Sequence, residues 1–151
     1  MPQFRITGQR PLHGSVTISG RKNAALKLIA AALLSDQPVT IHNLPQIGDV
    51  ATMLEIAEHL GSQVDRQGDR VTITTPEIKN TAIPYDLGRK LRASLVFVGP
   101  LLARQKEAHF PHPGGCVIGK RSISPHLDAF RNWGLRFPLM VQLITSKPTI
   151  L

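Results

Sequence analysis

The fold of this chain is best predicted from VTISGRKNAALKLIAAALLSDQPVTI, residues 16–41. Its first part belongs to GSVTISG at 14–20, where apolar and polar residues alternate as in a short strand. Residues 22–35 are rich in Ala and Leu, which favours a helix with Asn23 as its candidate N-cap. The segment 37–45 predicts another strand. A strand, a helix and a strand in this order are typical of an α/β protein.

The following segments continue this pattern. Residues 48–61 predict a helix with one apolar face, ended by a glycine. That face consists of Val50, Met53, Leu54, Ala57 and Leu60. Residues 62–76 predict a β-hairpin. Segment 86–105 predicts a mostly helical stretch that Gly99-Pro100 kinks or breaks, and 125–134 predicts a short helix.

The order of elements suggests an internal repeat. A strand, a basic helix start, a helix, a strand and a proline-bearing loop run from 14 to 45 and again from 71 to about 113. The tripeptide VTI occurs three times, at 16–18, 39–41 and 71–73. We therefore predict two copies of one unit, offset by roughly 55 residues. Chance recurrence of an ordinary strand sequence is the alternative.

Composition limits the class of protein. The chain has 151 residues, 42% of them hydrophobic, which is enough for a buried core. Its single cysteine cannot form an internal disulfide, which fits a reducing compartment. The first residues contain no apolar run of the signal-peptide kind, and no stretch of about 18 apolar residues is present to span a membrane. We expect a cytoplasmic protein and no membrane partner.

The net charge of +8 requires an anionic partner. Nucleic acid, anionic lipid and phosphorylated small molecules are the candidates. The basic residues stand in short groups near glycines, without a stripe interleaved with aromatic residues, so we predict no nucleic-acid partner. Small anionic substrates are favoured, and nucleic-acid binding, suggested only by the sequence pI of about 10.4, is the weaker alternative.

Two basic groups occur where helices are predicted to start. Arg21, Lys22 and Asn23 open the first helix, where free backbone N–H groups and the helix dipole attract anions. Arg89 and Arg92 are three residues apart, so they would share a helical face, and arginine suits bidentate binding of phosphate. A solvated basic turn is the alternative for both groups.

The only cysteine follows two glycines in PGGCVIGKR, residues 113–121. Glycines permit unusual backbone angles, so we expect Cys116 on a loop. Lys120 and Arg121 would favour its thiolate, and such a cysteine can act as an acid or a nucleophile. A small buried cysteine without chemistry is the alternative.

No metal or cofactor is predicted. His109, His112 and His126 together with Cys116 match no standard zinc spacing. The glycine-rich patterns for nucleoside triphosphates and dinucleotides are absent from the sequence.

Three segments together resemble the enolpyruvyl transferases that act on UDP-N-acetylglucosamine. They are GSVTISGRKNAALKLIAAALL at 14–34, LRASLVFVGPLLAR at 91–104 and PGGCVIGKR at 113–121. The resemblance implies transfer of the enolpyruvyl group of phosphoenolpyruvate to the 3′-hydroxyl of UDP-N-acetylglucosamine, the first committed step of peptidoglycan synthesis. A non-catalytic fragment that binds anions or the UDP-sugar is the alternative.

The resemblance also implies a fold. The family has two similar domains, each an inside-out α/β barrel of repeated units, with the active site between them. Here residues 1–134 match the N-terminal part, of which residues 1–20 normally join the second domain, so we expect an incomplete barrel. Residues 135–151 depart from the family pattern, as a frameshift, an early stop or a misread gene would produce, or as a divergent natural strand. We expect little or no catalysis by this chain alone, and its oligomeric state is not predicted.

The site residues follow from the same resemblance. Lys22 and Asn23 would contact phosphoenolpyruvate. Cys116 would donate a proton to the enolpyruvyl methylene, and it corresponds to the target of the epoxide antibiotic fosfomycin. The residues that would bind UDP-N-acetylglucosamine are Arg92, Arg121, Ser122, Ile123, Ser124 and Pro125. The family usually has an aspartate where this chain has Ser124, and a proline followed by a hydrophobic residue where it has Ser122 and Ile123.

Overall fold

The computed structural model describes residues 3–9, 11–114 and 122–132. In chain order its elements are α1 (Lys22–Ala32), β1 (Val39–Ile41), α2 (Gly48–Leu60), β2 (Gln63–Gln67), β3 (Arg70–Thr74), α3 (Tyr85–Lys90), a 3-10 segment (Arg92–Phe97), α4 (Val98–Gln105) and α5 (Ser124–Asn132). The α/β prediction is therefore confirmed.

The three strands form one antiparallel sheet in the order β1-β3-β2. Val71 and Ile73 of the central strand are fully buried, and Ile73 pairs with Val39 on one side and Val64 on the other. Thr72, which alternates with them, bonds through its hydroxyl to that of Thr40 at 3.0 Å. The predicted hairpin at 62–76 is confirmed by β2 and β3. The sheet is open at β1 and β2, so these described strands do not form a barrel.

The core lies between this sheet and the helices. Helices α1 and α2 pack against each other and against the 3-10 segment. The largest side chains with no exposed surface include Phe97, Ile29, Leu33, Met53 and Ile56. Burying such a side chain contributes roughly 1.5–3 kcal/mol, so these contacts stabilise the packing of the helices in the core.

Helix α2 agrees with the sequence prediction. All five residues of its predicted apolar face are buried, and Ile56 joins them. Gly61 follows the helix with φ of 117°, which favours glycine, and a Cβ atom there would approach the backbone oxygen of Glu77 to 2.7 Å.

The region before α1 corrects two predictions. The strand predicted at 14–20 is wrong: these residues belong to no strand, and Val16 and Ile18 are 89% and 83% exposed. Alternation of side chains makes a strand only when a neighbouring strand supplies hydrogen bonds. The N-cap of α1 is Arg21 rather than Asn23, because the helix begins at Lys22. The second predicted strand is confirmed in its centre, at Val39–Ile41.

The predicted helix 86–105 is interrupted at a different place from the one expected. The break lies at Leu91, whose extended backbone (φ −149°, ψ 130°) separates α3 from the 3-10 segment. Leu91 is 7% exposed, so this extended turn carries its side chain into the core. Gly99-Pro100 instead lies in the first turn of α4. N–H groups in a first turn have no hydrogen-bond partner inside the helix, so a proline there removes no helical hydrogen bond.

The repeat boundaries predicted from VTI are wrong. Residues 71–73 lie in the same sheet as 39–41 and run antiparallel to them, so they do not begin a second copy. A parallel bridge joins Ala82 to His109, on either side of α3 and α4. Helix α5 confirms the helix predicted near 125, and its expected end at Gly134 lies outside the described residues. Within the described ranges, no helix has the length and apolar character needed to cross a membrane.

Candidate anion-binding site at the helix starts

The start of α1 is fixed by Gly20 and Asn43. The Gly20 N–H donates to Oδ1 of Asn43 at 3.0 Å. Asn43 has a positive φ of 55°, and a Cβ atom on residue 20 would collide with its backbone oxygen. Because Asn43 follows β1 by two residues, this contact ties the first turn of α1 to the end of that strand.

Lys22 and Asp49 bring the starts of two helices together. Lys22 is the first residue of α1 and Asp49 the second of α2, and the Lys22 ammonium pairs with Oδ2 of Asp49. Neither helix has a hydrogen bond from a side-chain cap. The first backbone N–H groups of a helix lack partners inside it, so uncapped starts can accept an anion. Asn23 is exposed beside Lys22. The sequence-predicted pair Lys22 and Asn23 therefore lies where an anion could bind.

Arg92 is connected to the residues before α5. Its Nη2 donates to the backbone oxygen of Ser122 at 2.8 Å. The 3-10 segment that carries Arg92 is fastened by Ser94, which is 2% exposed and donates through Oγ to the Gly88 oxygen at 2.9 Å. Two of the predicted sugar-nucleotide residues, Arg92 and Ser122, are thus in direct contact.

The segment Ser122–Pro125 leads into α5, which begins at Ser124. The Ser124 N–H donates to Oγ of Ser122 at 3.0 Å, and the Ser122 hydroxyl donates to Oγ of Ser124 at 2.7 Å. Ser122, Ser124 and Pro125 are exposed, whereas Ile123 is only 7% exposed and packs in the core. Any contact of Ile123 with a ligand would therefore use its backbone.

Cys116 and Arg121 lie outside the described residues. The residues on either side of that segment are placed next to α3 and its continuation. A Cβ atom on Gly114 would collide with the backbone oxygen of Arg89, and Ser122 contacts Arg92. Gly114 and Ser122, the described residues that flank this segment, therefore both lie beside the turn Arg89–Arg92.

Arg89 and Arg92 do not share a helical face as predicted. The break at Leu91 puts Arg89 in α3 and Arg92 in the 3-10 segment. Arg89 donates through Nη1 to the Tyr85 hydroxyl at 2.8 Å, and its guanidinium carbon lies 5.3 Å from the centroid of that ring. Spacing of three residues implies a common face only while the helix continues.

Sequence reasoning missed Asp49. A signal existed, because an acidic residue in the first turn of a predicted helix is favoured by the dipole and can reach a neighbouring cation. Its pairing with Lys22 depends on how α1 and α2 pack, which the sequence pattern did not specify. His109, considered for a metal, instead lies 2.9 Å through Nε2 from Oε1 of Glu107.

The fold and these groups define an α/β protein with basic residues and uncapped helix starts on elements that pack together. A family model described as EPSP synthase (3-phosphoshikimate 1-carboxyvinyltransferase) matches residues 6–143. The chain therefore belongs to the EPSP synthase family, which confirms the resemblance to enolpyruvyl transferases.

The names of similar curated proteins are consistent with this family. The chain is 49% identical over 134 residues to a UDP-N-acetylglucosamine 1-carboxyvinyltransferase of Psychrobacter arcticus, covering 89% of this chain and 32% of the relative. A protein of the same name from Acinetobacter baylyi is 44% identical, with 89% and 32% covered. The chain thus spans about a third of the length of the curated relatives it matches. Among solved structures, the enolpyruvyl transferase NikO from Streptomyces tendae aligns with a TM-score of 0.58 and 29% identity, over 62% of this chain and 22% of that one.

Proposed function

We propose that this chain supplies the N-terminal part of an enzyme that transfers the enolpyruvyl group of phosphoenolpyruvate to the 3′-hydroxyl of UDP-N-acetylglucosamine. The observation that carries the proposal is the position of Lys22 and Asn23 at the uncapped start of α1, next to the start of α2, which suits an anionic substrate. The names of the relatives support the choice of substrates. The reaction would be the first committed step of peptidoglycan synthesis. We propose a cytoplasmic location, because one cysteine fits a reducing compartment.

Phosphoenolpyruvate is assigned to the start of α1. The Lys22 ammonium offers a compact positive charge to a phosphate or carboxylate. Asn23 can donate from its amide, and the first N–H groups of the helix add further donors. Together these groups would neutralise an anion that a neutral site would not hold.

UDP-N-acetylglucosamine is assigned to the start of α5 and to Arg92. The exposed side chains there are those of Ser122, Ser124 and Pro125. Arg92 already holds the Ser122 backbone, so it could order this segment as well as contact the ligand. Arg121 would add a second guanidinium for the diphosphate.

Cys116 is proposed as the acid of the reaction. The 3′-hydroxyl of the sugar would lose its proton to a general base while its oxygen bonds to the central carbon of phosphoenolpyruvate and the Cys116 thiol protonates the methylene carbon. Loss of phosphate and of one proton from the new methyl group then restores the double bond. Addition and elimination involve no change of redox state, so no cofactor forms part of the proposal.

The domain organisation is part of the proposal. Residues 1–134 would form the N-terminal part of an inside-out barrel that needs further units to close, and 135–151 a divergent tail. Residues 1–20 would join a second domain, which would cover side chains that are now exposed by 83% or more. These side chains are Phe4, Ile6, Leu12, Val16 and Ile18. Since the relatives are about three times as long, we propose that the chain alone binds substrate without turnover.

A ligand-dependent thermal melt tests this assignment. We expect a cooperative transition whose midpoint rises with UDP-N-acetylglucosamine, and a smaller rise in Arg92→Ala than in the matched control Arg66→Ala on β2. Phosphate release from both substrates should remain at background. Absence of any shift with the sugar nucleotide would contradict the binding assignment, whereas turnover that depends on Cys116 would contradict the proposed inactivity of the chain alone.

A further inference from the structure

We propose that Asp49 is a positioning residue that holds the Lys22 ammonium at the mouth of the anion site. The inference rests on the proposed function, because it concerns how Lys22 meets phosphoenolpyruvate. No part of the sequence motif that indicated the family includes Asp49, and the assignment comes from the contact between α1 and α2.

The geometry leaves Lys22 able to bind a ligand while it is held. Asp49 contacts the ammonium through one carboxylate oxygen, Oδ2. An ammonium has three N–H donors, so two remain for a phosphate or carboxylate. The Lys22 side chain is 53% exposed, which leaves these donors open to solvent.

Lys22 needs such a partner because of its position. It is the first residue of α1, where the positive end of the helix dipole repels a cation, and its four-carbon stem is flexible. Asp49 is in the opposite situation, since a carboxylate in the first turn of α2 is favoured by that dipole. The next residue, Val50, is fully buried and anchors the backbone of this turn. Asp49 is therefore a fixed point to which the mobile ammonium can be attached.

The direction of the effect separates positioning from simple electrostatics. A carboxylate close to an anion site repels the anion, so removing its charge should tighten binding if nearby charge were all that mattered. Positioning predicts the opposite result. Stability is not the main effect of the pair either, because ion pairs between exposed side chains contribute little to folding.

The test measures phosphoenolpyruvate binding to the full chain by NMR titration. We expect Asp49→Asn to weaken binding about fivefold or more, with Asp49→Glu recovering part of the loss. Asp86→Asn is the matched control, since Asp86 lies in the first turn of α3, and it should bind as the wild type does. In a Lys22→Met background, Asp49→Asn should cause no further loss. Asp49→Ala, which removes the carboxylate and keeps a strong helix former within α2, replaces the asparagine variant if that variant does not fold.

The outcomes are distinct. If Asp49→Asn binds phosphoenolpyruvate as tightly as the wild type or more tightly, the inference is wrong but the proposed function is not. The same holds if Asp49→Asn weakens binding in the Lys22→Met background as much as it does in the wild type. A wild-type chain that binds no phosphoenolpyruvate contradicts the proposed function and the inference with it. NMR relaxation gives a second measurement: the Lys22 ε-methylene group should show restricted motion in the wild type and free motion in Asp49→Asn.

Discussion

Arg92 and Ser122 are joined across 30 residues of chain by a 2.8 Å hydrogen bond from Nη2 of the arginine to the serine carbonyl oxygen. This bond fastens the start of α5 to the turn that follows α3. It connects two of the residues proposed to bind the sugar nucleotide, so each should depend on the other.

Removal of this bond should weaken sugar-nucleotide binding more than it weakens the fold. Arg92→Ala removes a guanidinium and releases the Ser122 carbonyl, whereas Arg92→Lys keeps the charge but loses the planar fork. We expect binding of UDP-N-acetylglucosamine, measured by calorimetry, to fall about tenfold in the alanine variant and less in the lysine variant. Equal affinities in Arg92→Ala and the control Arg66→Ala would show that Arg92 has no part in this site.

Arg104 is predicted to stabilise the fold without any part in binding. Its Nη1 donates to the oxygens of Leu33 at 3.0 Å and Thr75 at 2.7 Å, and its Nη2 donates to that of Pro76 at 2.9 Å. Arg104→Met leaves these carbonyl groups without their partner. We expect the free energy of unfolding to fall by about 2–3 kcal/mol in urea titrations, with the m-value unchanged.

Arg66→Met on β2 is the control for this change, because the Arg66 side chain is exposed. This substitution should lower the free energy of unfolding by less than about 0.5 kcal/mol. A loss for Arg104→Met as small as that of the control would mean that these carbonyl contacts do not form in solution.

Two glycine substitutions should change the stability of the chain in opposite directions. Gly20→Ala places a Cβ atom against the Asn43 backbone oxygen, which must move the start of α1. We expect a loss of about 1–3 kcal/mol in stability, with weaker phosphoenolpyruvate binding. Gly48→Ala has open space at its Cβ and is the first residue of α2, so it should stabilise the chain by about 0.4–1 kcal/mol. Thermal melts of the two variants would measure both changes in stability. A Gly20→Ala variant as stable as the wild type would contradict the conclusion that Gly20 and Asn43 fix the start of α1.

Fosfomycin should react with Cys116. The epoxide carbon would bond to the thiolate sulfur, so intact mass spectrometry should show one added molecule of the drug on the wild-type chain and none on Cys116→Ser. We expect UDP-N-acetylglucosamine to accelerate labelling if it binds at the start of α5. Labelling at the same rate in a denatured sample would show that the folded chain adds nothing to the reactivity of the cysteine.

Local pattern predicted the elements whose stability depends on their own residues. The apolar face of α2 and the glycine at its end were correct, because periodicity and the positive φ after a helix are local properties. The hairpin of β2 and β3 was correct for the same reason. The break at Leu91 was missed, since it is set by burial of that side chain in the core rather than by Gly99-Pro100.

The sequence likewise predicted some features of the candidate site and not others. From the sequence alone came the residue types: a basic helix start at Lys22, an arginine at 92 and a cysteine after two glycines. Only the tertiary structure decided that Asp49 meets Lys22, that Arg92 holds Ser122 and that Ile123 faces inward. Residue type and spacing determine what a helix start can bind, because backbone N–H groups and charge are local. Which helix start meets which is decided by the packing of distant segments, and that depends on contacts that no local pattern contains.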